Sequence, residues 1–230
     1  AMLGRALAFY AKAAPDLAGL NKTKAEKRME ELERDVEGRS PFDPLFGAVR
    51  AAIRAKDTEE LRPQGGFITR KDFRDVAPAG GVLVGFRYTT KLYNNDHLIM
   101  DFMQPIYLTP LGEKFGTPYG GKAPPGVQTT KAKTGYAVGA VRISGGGLLG
   151  GLAVRYMRIQ GKGLNPADSY EGVWMGRLPA LPPGAGAIVG DGRPVFGIHG
   201  KLRQDGNEEI CQLGFLVAGK TAPTPGPKKN

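Results

Sequence analysis

The spacing of hydrophobic residues divides the chain into two parts. Over 1–62, apolar positions recur every three or four residues, which predicts helices at 2–14, 22–37 and 45–56. Over 63–219, apolar runs are short, alternate with polar residues and are interrupted by glycine or proline, which predicts strands. We therefore expect an all-β body preceded by a short α-helical N-terminal appendage.

The predicted helices have narrow apolar faces. In the second helix, Met29, Leu32 and Val36 are the strongly apolar positions, and charged residues occupy the other faces. Helices this thin do not make a stable domain alone, so we expect the appendage to pack on the body or on a partner protein. The final segment, 220–230, has nothing to bury and is predicted to be a disordered tail.

The β body contains three copies of one unit. Each copy has an apolar strand that includes a glycine, then a polar or glycine-rich loop, then a second strand with alternating apolar positions. The anchoring glycines are Gly85, Gly139 and Gly197. Because self-similarity of this kind indicates a repeat architecture, the three strand pairs predict a pseudo-threefold body of roughly twelve strands.

The loops of the three copies differ in their polar chemistry. The third loop runs from Lys201 to Glu209 and contains Asp205 and Glu208, with Asp205 followed by glycine in a strong turn signal. The second loop, 144–151, has no carboxylate, and the short Asn-Asn-Asp cluster of the first favours a plain turn. The third loop is therefore the first place where we expect a ligand.

Two of the copies resemble one known family. The third copy, PVFGIHGKLRQDGNEEICQLGFLV, is similar to the closing segment of jacalin-related lectins, and the central copy, VGAVRISGGGLLGGLAVRYM, is similar to another copy within that family. The resemblance covers about residues 65–219 and leaves 1–62 outside. It implies a β-prism fold, in which three four-stranded Greek-key sheets surround a pseudo-threefold axis.

The resemblance also implies a sugar site. In that family an early glycine and a Gly-x-x-x-Asp loop hold the sugar, since a carboxylate accepts hydroxyl hydrogens and loop N–H groups donate to sugar oxygens. The matching loop glycine is Gly200, and either Asp205 or Glu208 can fill the carboxylate role because this loop is longer than the family's. We place the early glycine at Gly80-Gly81, directly before the first copy, with Gly65-Gly66 as the alternative. The implied partner is a carbohydrate or glycoconjugate.

Composition argues against nucleic-acid binding, cysteine chemistry and a membrane span. The 230 residues carry a formal net charge of +10, but the excess of Lys and Arg is spread along the chain, so a dedicated nucleic-acid-binding role is not favoured. Cys211 is the single cysteine, which excludes a disulfide within the chain and a cysteine-based metal site. No run reaches the roughly 18 apolar residues of a membrane span.

The sequence contains no recognisable catalytic arrangement. His97 and His199 lie in different copies, a G-x-S-x-G motif is absent, and the glycines at 145–147 are not followed by the Lys-Ser/Thr of a phosphate-binding loop. We therefore expect no enzyme activity, cofactor or metal. The predicted function is a non-catalytic carbohydrate-binding module. The alternative is a structural or protein-interaction module of a larger protein, in which the sugar site has been lost and the N-terminal helices dock.

Overall fold

The computed structural model describes residues 19–36, 40–66, 71–94, 97–121, 125–145, 147–177, 187–188, 190–203 and 208–219. Within these ranges the helices are α1 (Gly19–Val36) and α2 (Asp43–Ala55), and a short 3-10 turn spans Pro78–Gly80. They correspond to the second and third predicted helices. The first predicted helix and the predicted tail lie outside the described residues. Neither described helix has the length and apolar character needed to cross a membrane.

The described residues form fourteen strands, which pair in three antiparallel sheets. Their bounds are β1 Thr58–Glu60, β2 Gln64–Gly65, β3 Lys71–Val76, β4 Val82–Tyr93, β5 His97–Thr109, β6 Gly112–Phe115, β7 Tyr119–Gly120, β8 Gln128–Lys131, β9 Tyr136–Gly145, β10 Leu149–Gln160, β11 Gly163–Gly176, β12 Ala187–Ile188, β13 Val195–Leu202 and β14 Ile210–Ala218.

Each sheet has the strand order of a Greek key. The first sheet runs β8-β4-β5-β6 and the second runs β12-β9-β10-β11, so in both a fourth strand returns to lie beside the first of three consecutive strands. β7 adds a short pairing to β5 in the first sheet. The third sheet runs β3-β13-β14-β1, which is the same order supplied by two distant parts of the chain. The predicted all-β, β-prism-like fold with a pseudo-threefold repeat is confirmed by these strand orders.

The third sheet joins the beginning of the described body to its end. Its central hairpin is β13–β14, and residues from Asp57 to Gly66 run antiparallel along β14. The N–H of Gly219 donates to the carbonyl of Asp57 at 2.7 Å, and the N–H of Gly66 donates to the carbonyl of Cys211 at 2.8 Å. β1 thus precedes the predicted boundary at residue 62, yet it pairs with β14 and completes the third Greek key.

The three anchoring glycines lie at equivalent irregularities of the sheets. In the first strand of each hairpin the pairing register shifts at the anchor, between Leu83 and Gly85 in the first sheet and between Val195 and Gly197 in the third. In the second sheet the pairing of β9 with β10 passes from Ala140 directly to Val138, so Gly139 is the extra residue of the bulge. These are β-bulges, and at Gly197 a Cβ would lie 2.5 Å from the carbonyl oxygen of Asp75 on the neighbouring strand β3. At Gly85 and Gly197 another backbone passes too closely for a side chain, whereas at Gly139 the space is filled by the Met157 side chain.

One hydrophobic core lies between the three central hairpins. The pairs β4–β5, β9–β10 and β13–β14 contact one another, and their inward side chains belong to a single buried cluster. Phe86, Tyr107, Tyr156 and Phe215 are among its largest fully buried members. Burial raises the pKa of Tyr156 to about 12, so its hydroxyl stays neutral and hydrogen-bonds Thr130 at 2.9 Å, linking the second sheet to the first.

Helix α2 belongs to the same core. Leu45, Phe46 and Val49 are buried on its inner face and pack with the strands in the same cluster. The helix lies against the 3-10 turn before β4, where a Cβ on Gly80 would overlap the side chain of Arg50. The expectation that the helical segment packs on the body therefore holds for α2, whose apolar face covers one end of the β body.

Candidate functional site

The connections of the three central hairpins meet at the end of the body opposite α2. Ile99 from the first hairpin, Leu148 from the second and Cys211 from the third form one small buried cluster, with Tyr93 packed against it. The third hairpin loop joins Leu202, at the end of β13, to Ile210, at the start of β14. We call this end of the molecule, where the three loops converge, the hairpin end.

A buried carboxylate fixes the base of the third loop. The side chain of Glu209 is 2 % exposed, and its two oxygens lie 3.2 Å from the Lys91 ammonium and 3.2 Å from the Arg203 guanidinium. Across the loop, the N–H of Arg203 donates to the carbonyl of Glu209 at 2.9 Å. A buried charge is costly unless it is paired, and here both oxygens have a cationic partner.

The same network reaches the first hairpin. Lys91 on β4 also lies 2.8 Å from Asp101 on β5, and Arg203 donates to the hydroxyl of Tyr93 at 2.9 Å. Burial by itself lowers the pKa of Lys91, but hydrogen bonds to Asp101 and Glu209 raise it above its ordinary value. The ammonium therefore stays charged, and the base of the third loop is tied to the first sheet.

The predicted ligand residues of the third loop have different surroundings. Glu208 has a positive φ of 45° and its carboxylate accepts a hydrogen bond from Lys71 at 2.6 Å. That side chain is 50 % exposed, so it faces solvent beside the loop. Asp205 lies outside the described residues. Gly200 is buried within β13, where a Cβ would lie 2.7 Å from the Phe73 ring, so this glycine serves packing between strands.

The early glycine predicted at Gly80-Gly81 lies away from the third loop. Strand β3 pairs with β13 so that Lys71 faces Leu202 near the loop, while Val76 faces Gly197 at the other end. Five residues of strand span about 17 Å at about 3.3 Å each. Gly80 and Gly81 follow Val76 and contact α2 and β5, so the structure does not bring them together with Glu208.

The alternative pair, Gly65-Gly66, lies at the hairpin end. Gly65 pairs with Gln212 at the start of β14, and the carbonyl of Gly66 accepts from the Gln212 side chain at 2.8 Å. A Cβ on Gly66 would overlap the backbone of Gly147 in the second hairpin loop. Gly65 is exposed and has a φ of 131°, a conformation that favours glycine.

The chemistry available at the hairpin end is polar with an apolar border. Glu208 and Lys71 offer an acceptor and a donor at the surface, and the neighbouring pair Leu92 and Leu98 is exposed at the tip of the first hairpin. No group of His, Cys, Asp and Glu among the described residues is placed to hold a metal ion. The arrangement suits hydrogen bonding to a neutral polar molecule at the surface.

Comparisons with known proteins give a structural likeness only. No protein-family model matches the sequence, and the comparison with curated proteins found no match. Similar solved structures include wild-type Malaysian banana lectin, at 12% identity and a TM-score of 0.46 over 70% of this chain and 99% of that one. A mannose-binding lectin from champedak is 10% identical with a TM-score of 0.49 over 70% and 97%. A mannose-binding jacalin-related lectin from Ananas comosus is 13% identical with a TM-score of 0.44 over 71% and 99%.

These structures are jacalin-related lectins, the family that the third and central copies resemble. Likenesses with identities and TM-scores this low carry no argument about this chain. The fold assignment therefore rests on its own three Greek-key sheets.

Proposed function

We propose that this protein is a non-catalytic carbohydrate-binding module whose ligand binds at the hairpin end. The observation that carries the proposal is the half-exposed carboxylate of Glu208, held beside a loop whose base is fixed by the buried carboxylate of Glu209. A loop with a fixed base loses less conformational entropy when a ligand orders it, and this lowers the cost of binding.

The polar groups of the loop fit the hydroxyl groups of a sugar. A carboxylate accepts hydrogen bonds from two adjacent hydroxyls, and an ammonium donates to ring or hydroxyl oxygens. Glu208 and Lys71 form an exposed ion pair, a kind worth about 0–1 kcal/mol, so a sugar can exchange into it at little cost. Asp205 is the second candidate acceptor, and Gly65-Gly66 takes the place that the sequence assigned to Gly80-Gly81.

Binding to a glycan array, followed by calorimetry with the best ligand, tests this proposal. We expect Asp205→Asn or Glu208→Gln to weaken the affinity at least tenfold, which corresponds to about 1.4 kcal/mol. Glu113→Gln is the matched control, because Glu113 is similarly exposed and pairs with Lys131 at 2.8 Å in the first sheet, away from the third loop. Absence of glycan binding by the unaltered chain, or full affinity in both loop variants, would overturn the proposal.

A protein-interaction module is the second candidate function, and α1 is the observation that favours it. Its residues from Asn21 to Lys24, together with Lys27 and Arg28, are exposed. The buried apolar residues of α2, which are Leu45, Phe46 and Val49, in contrast belong to the core of the body. We therefore expect a partner protein to contact residues before residue 40. Removing residues 1–39 should abolish binding to a partner protein purified with the full chain, while retained binding would exclude this role.

A further inference from the structure

The cations of the three sheets differ in how they are paired. In the third sheet, each Lys or Arg on a strand has a carboxylate partner: Lys71 with Glu208, Arg74 with Glu60, and Lys201 with Asp72. In the second sheet, Arg155 and Arg158 on β10 are exposed, and the described residues provide neither with an ion pair. In the first sheet, Arg87 and Lys114 also have no ion pair among the described residues, but they lie on different strands, β4 and β6, and Arg87 is half-buried. The second sheet is therefore where two exposed cations without an ion pair lie close together on one strand.

Further exposed cations extend this surface. Lys133 lies just before β9 and Arg177 just after β11, and neither has a carboxylate partner among the described residues. We call Lys133, Arg155, Arg158 and Arg177 the basic stripe. Arg177 lies at the hairpin end, where its N–H donates to the carbonyl of Gly150.

The other end of the basic stripe lies near the start of β9. Arg158 pairs in register with Tyr136 on this strand, and Lys133 lies three residues before that tyrosine. The stripe thus follows the length of β10.

The acidic groups nearby do not neutralise the basic stripe. Residues 133–177 contain six Lys or Arg and two Asp or Glu. Glu171 is paired in register with Arg155, but both of its carboxylate oxygens accept hydrogen bonds from Arg142. Asp168 accepts from the hydroxyl of Tyr136 at 2.8 Å. The surface keeps a net positive charge along the strand.

The aromatic rings of the second sheet are covered by cations. The Arg142 guanidinium lies 5.7 Å from the centre of the Trp174 ring, and Arg158 lies 5.3 Å from the Tyr136 ring. Single-stranded nucleic acids bind proteins through bases stacked on open aromatic rings, and duplexes are read by an element that enters a groove. A sheet face with covered rings offers neither, but its guanidinium groups suit the planar, bidentate recognition of oxyanions.

We propose that the basic stripe is a second binding surface, which binds a linear sulfated polysaccharide. Arg155 and Arg158 are three residues apart on β10, a spacing that in a regular strand would turn their side chains to opposite faces. The pairing registers of β10 shift at Arg155/Tyr156 and at Met157/Arg158, and these β-bulges leave both arginines exposed while the two residues between them are buried. The two side chains therefore share the outer face, with their Cα atoms about 10 Å apart. Charges in such a row meet successive sulfate groups of an extended chain. The proposal is independent of the neutral sugar site, since the stripe lies on a sheet face and its Lys133 end is remote from the third loop.

Heparin is the probe, with binding measured by calorimetry at several salt concentrations around 0.15 M. Arg155→Ala/Arg158→Ala should weaken heparin binding at least tenfold and make its salt dependence shallower, because fewer counterions are released. The matched control is Arg74→Ala/Lys131→Ala, which removes the same charge from two exposed residues that are ion-paired elsewhere. This control should change the affinity less than about threefold, and circular dichroism checks that both variants fold.

Four results would overturn the proposal. These are equal losses in the two double variants, absence of heparin binding near 0.15 M salt, undiminished binding to desulfated heparin, and tighter binding to single- or double-stranded DNA than to heparin. Glu208→Gln should leave heparin binding unchanged, so this experiment distinguishes failure of the basic stripe from failure of the hairpin end.

Discussion

Glu209 shows how an acidic residue beside a candidate site can act on the loop instead of on a ligand. Its neighbour Glu208 is half exposed, whereas the Glu209 side chain is 2 % exposed between two cations. A sugar hydroxyl that replaced Lys91 or Arg203 at Glu209 would take a cationic partner away from a buried carboxylate, which is costly. We therefore assign ligand contact to Glu208 and loop positioning to Glu209.

Replacing Glu209 with glutamine tests that assignment. The amide keeps the shape of the carboxylate but removes the charge that faces Lys91 and Arg203, so we expect a loss of about 1–3 kcal/mol in the free energy of unfolding. Urea unfolding monitored by circular dichroism measures this loss. Glu113→Gln, in an exposed ion pair, should cost less than about 1 kcal/mol. Equal losses in the two variants would show that the Glu209 network does not stabilise the fold.

The charge network could not be predicted from the sequence. Nothing in local pattern distinguishes Glu208 from Glu209, although one side chain is exposed and the next is buried. The partners of Glu209 include Lys91, which is far away along the chain and belongs to another sheet. Contacts of this kind follow from how the sheets pack, and the pattern within one strand contains no information about them.

At the scale of elements, glycine placement was the most informative sequence signal. Gly85, Gly139 and Gly197 predicted the three hairpins because each occupies the same bulge of its own Greek key. The same reasoning placed the early glycine of the site at Gly80-Gly81, which the fold does not bring together with Glu208. Gly80 has a local sequence compatible with a ligand loop, but its requirement for glycine comes from contact with α2, which only the folded chain reveals.

The different surroundings of Gly197 and Gly47 predict opposite effects on stability when each is replaced by alanine. Gly197→Ala should lower the free energy of unfolding by about 1–3 kcal/mol, because its Cβ would lie 2.5 Å from the backbone oxygen of Asp75. Gly47→Ala on α2 should raise it by about 0.5–1 kcal/mol, because a Cβ there meets no atom within 4 Å and alanine favours a helix. Chemical denaturation of both variants provides the measurement. A tolerated Gly197→Ala would contradict the close-approach explanation for the anchors.

At the scale of the whole molecule, the body is closed by a segment that the sequence assigned to an appendage. Helical periodicity correctly predicted α2, but the thin stripe of Leu45, Phe46 and Val49 gave no sign that it enters the core of the sheets. The short strand β1 is polar, with Thr58, Glu59 and Glu60 all exposed, so it has no alternating apolar pattern to predict it. It forms because β14 offers an edge of unpaired backbone groups.

Two truncations separate the segment that closes the body from the part that precedes it. A chain that begins at residue 40 retains α2 and β1 and should unfold cooperatively, with a urea midpoint close to that of the full chain. A chain that begins at residue 63 loses the buried side chains of Leu45, Phe46 and Val49 and exposes the edge of β14. Burial of each of these side chains stabilises the fold by about 1.5–3 kcal/mol. Since domains are stable by only about 5–15 kcal/mol, we expect this second chain to lack a cooperative transition.

The single substitution Phe46→Ala supports the interpretation of these truncations. Phe46 is 1 % exposed in the core, and its truncation should cost about 3–5 kcal/mol without removing any strand. If the chain that begins at residue 63 unfolds cooperatively and Phe46→Ala costs less than about 1 kcal/mol, α2 and β1 are accessory to the β-prism. If both losses are large, the third Greek key depends on residues 40–62, and any partner that docks on the N-terminal part must do so through residues before this segment.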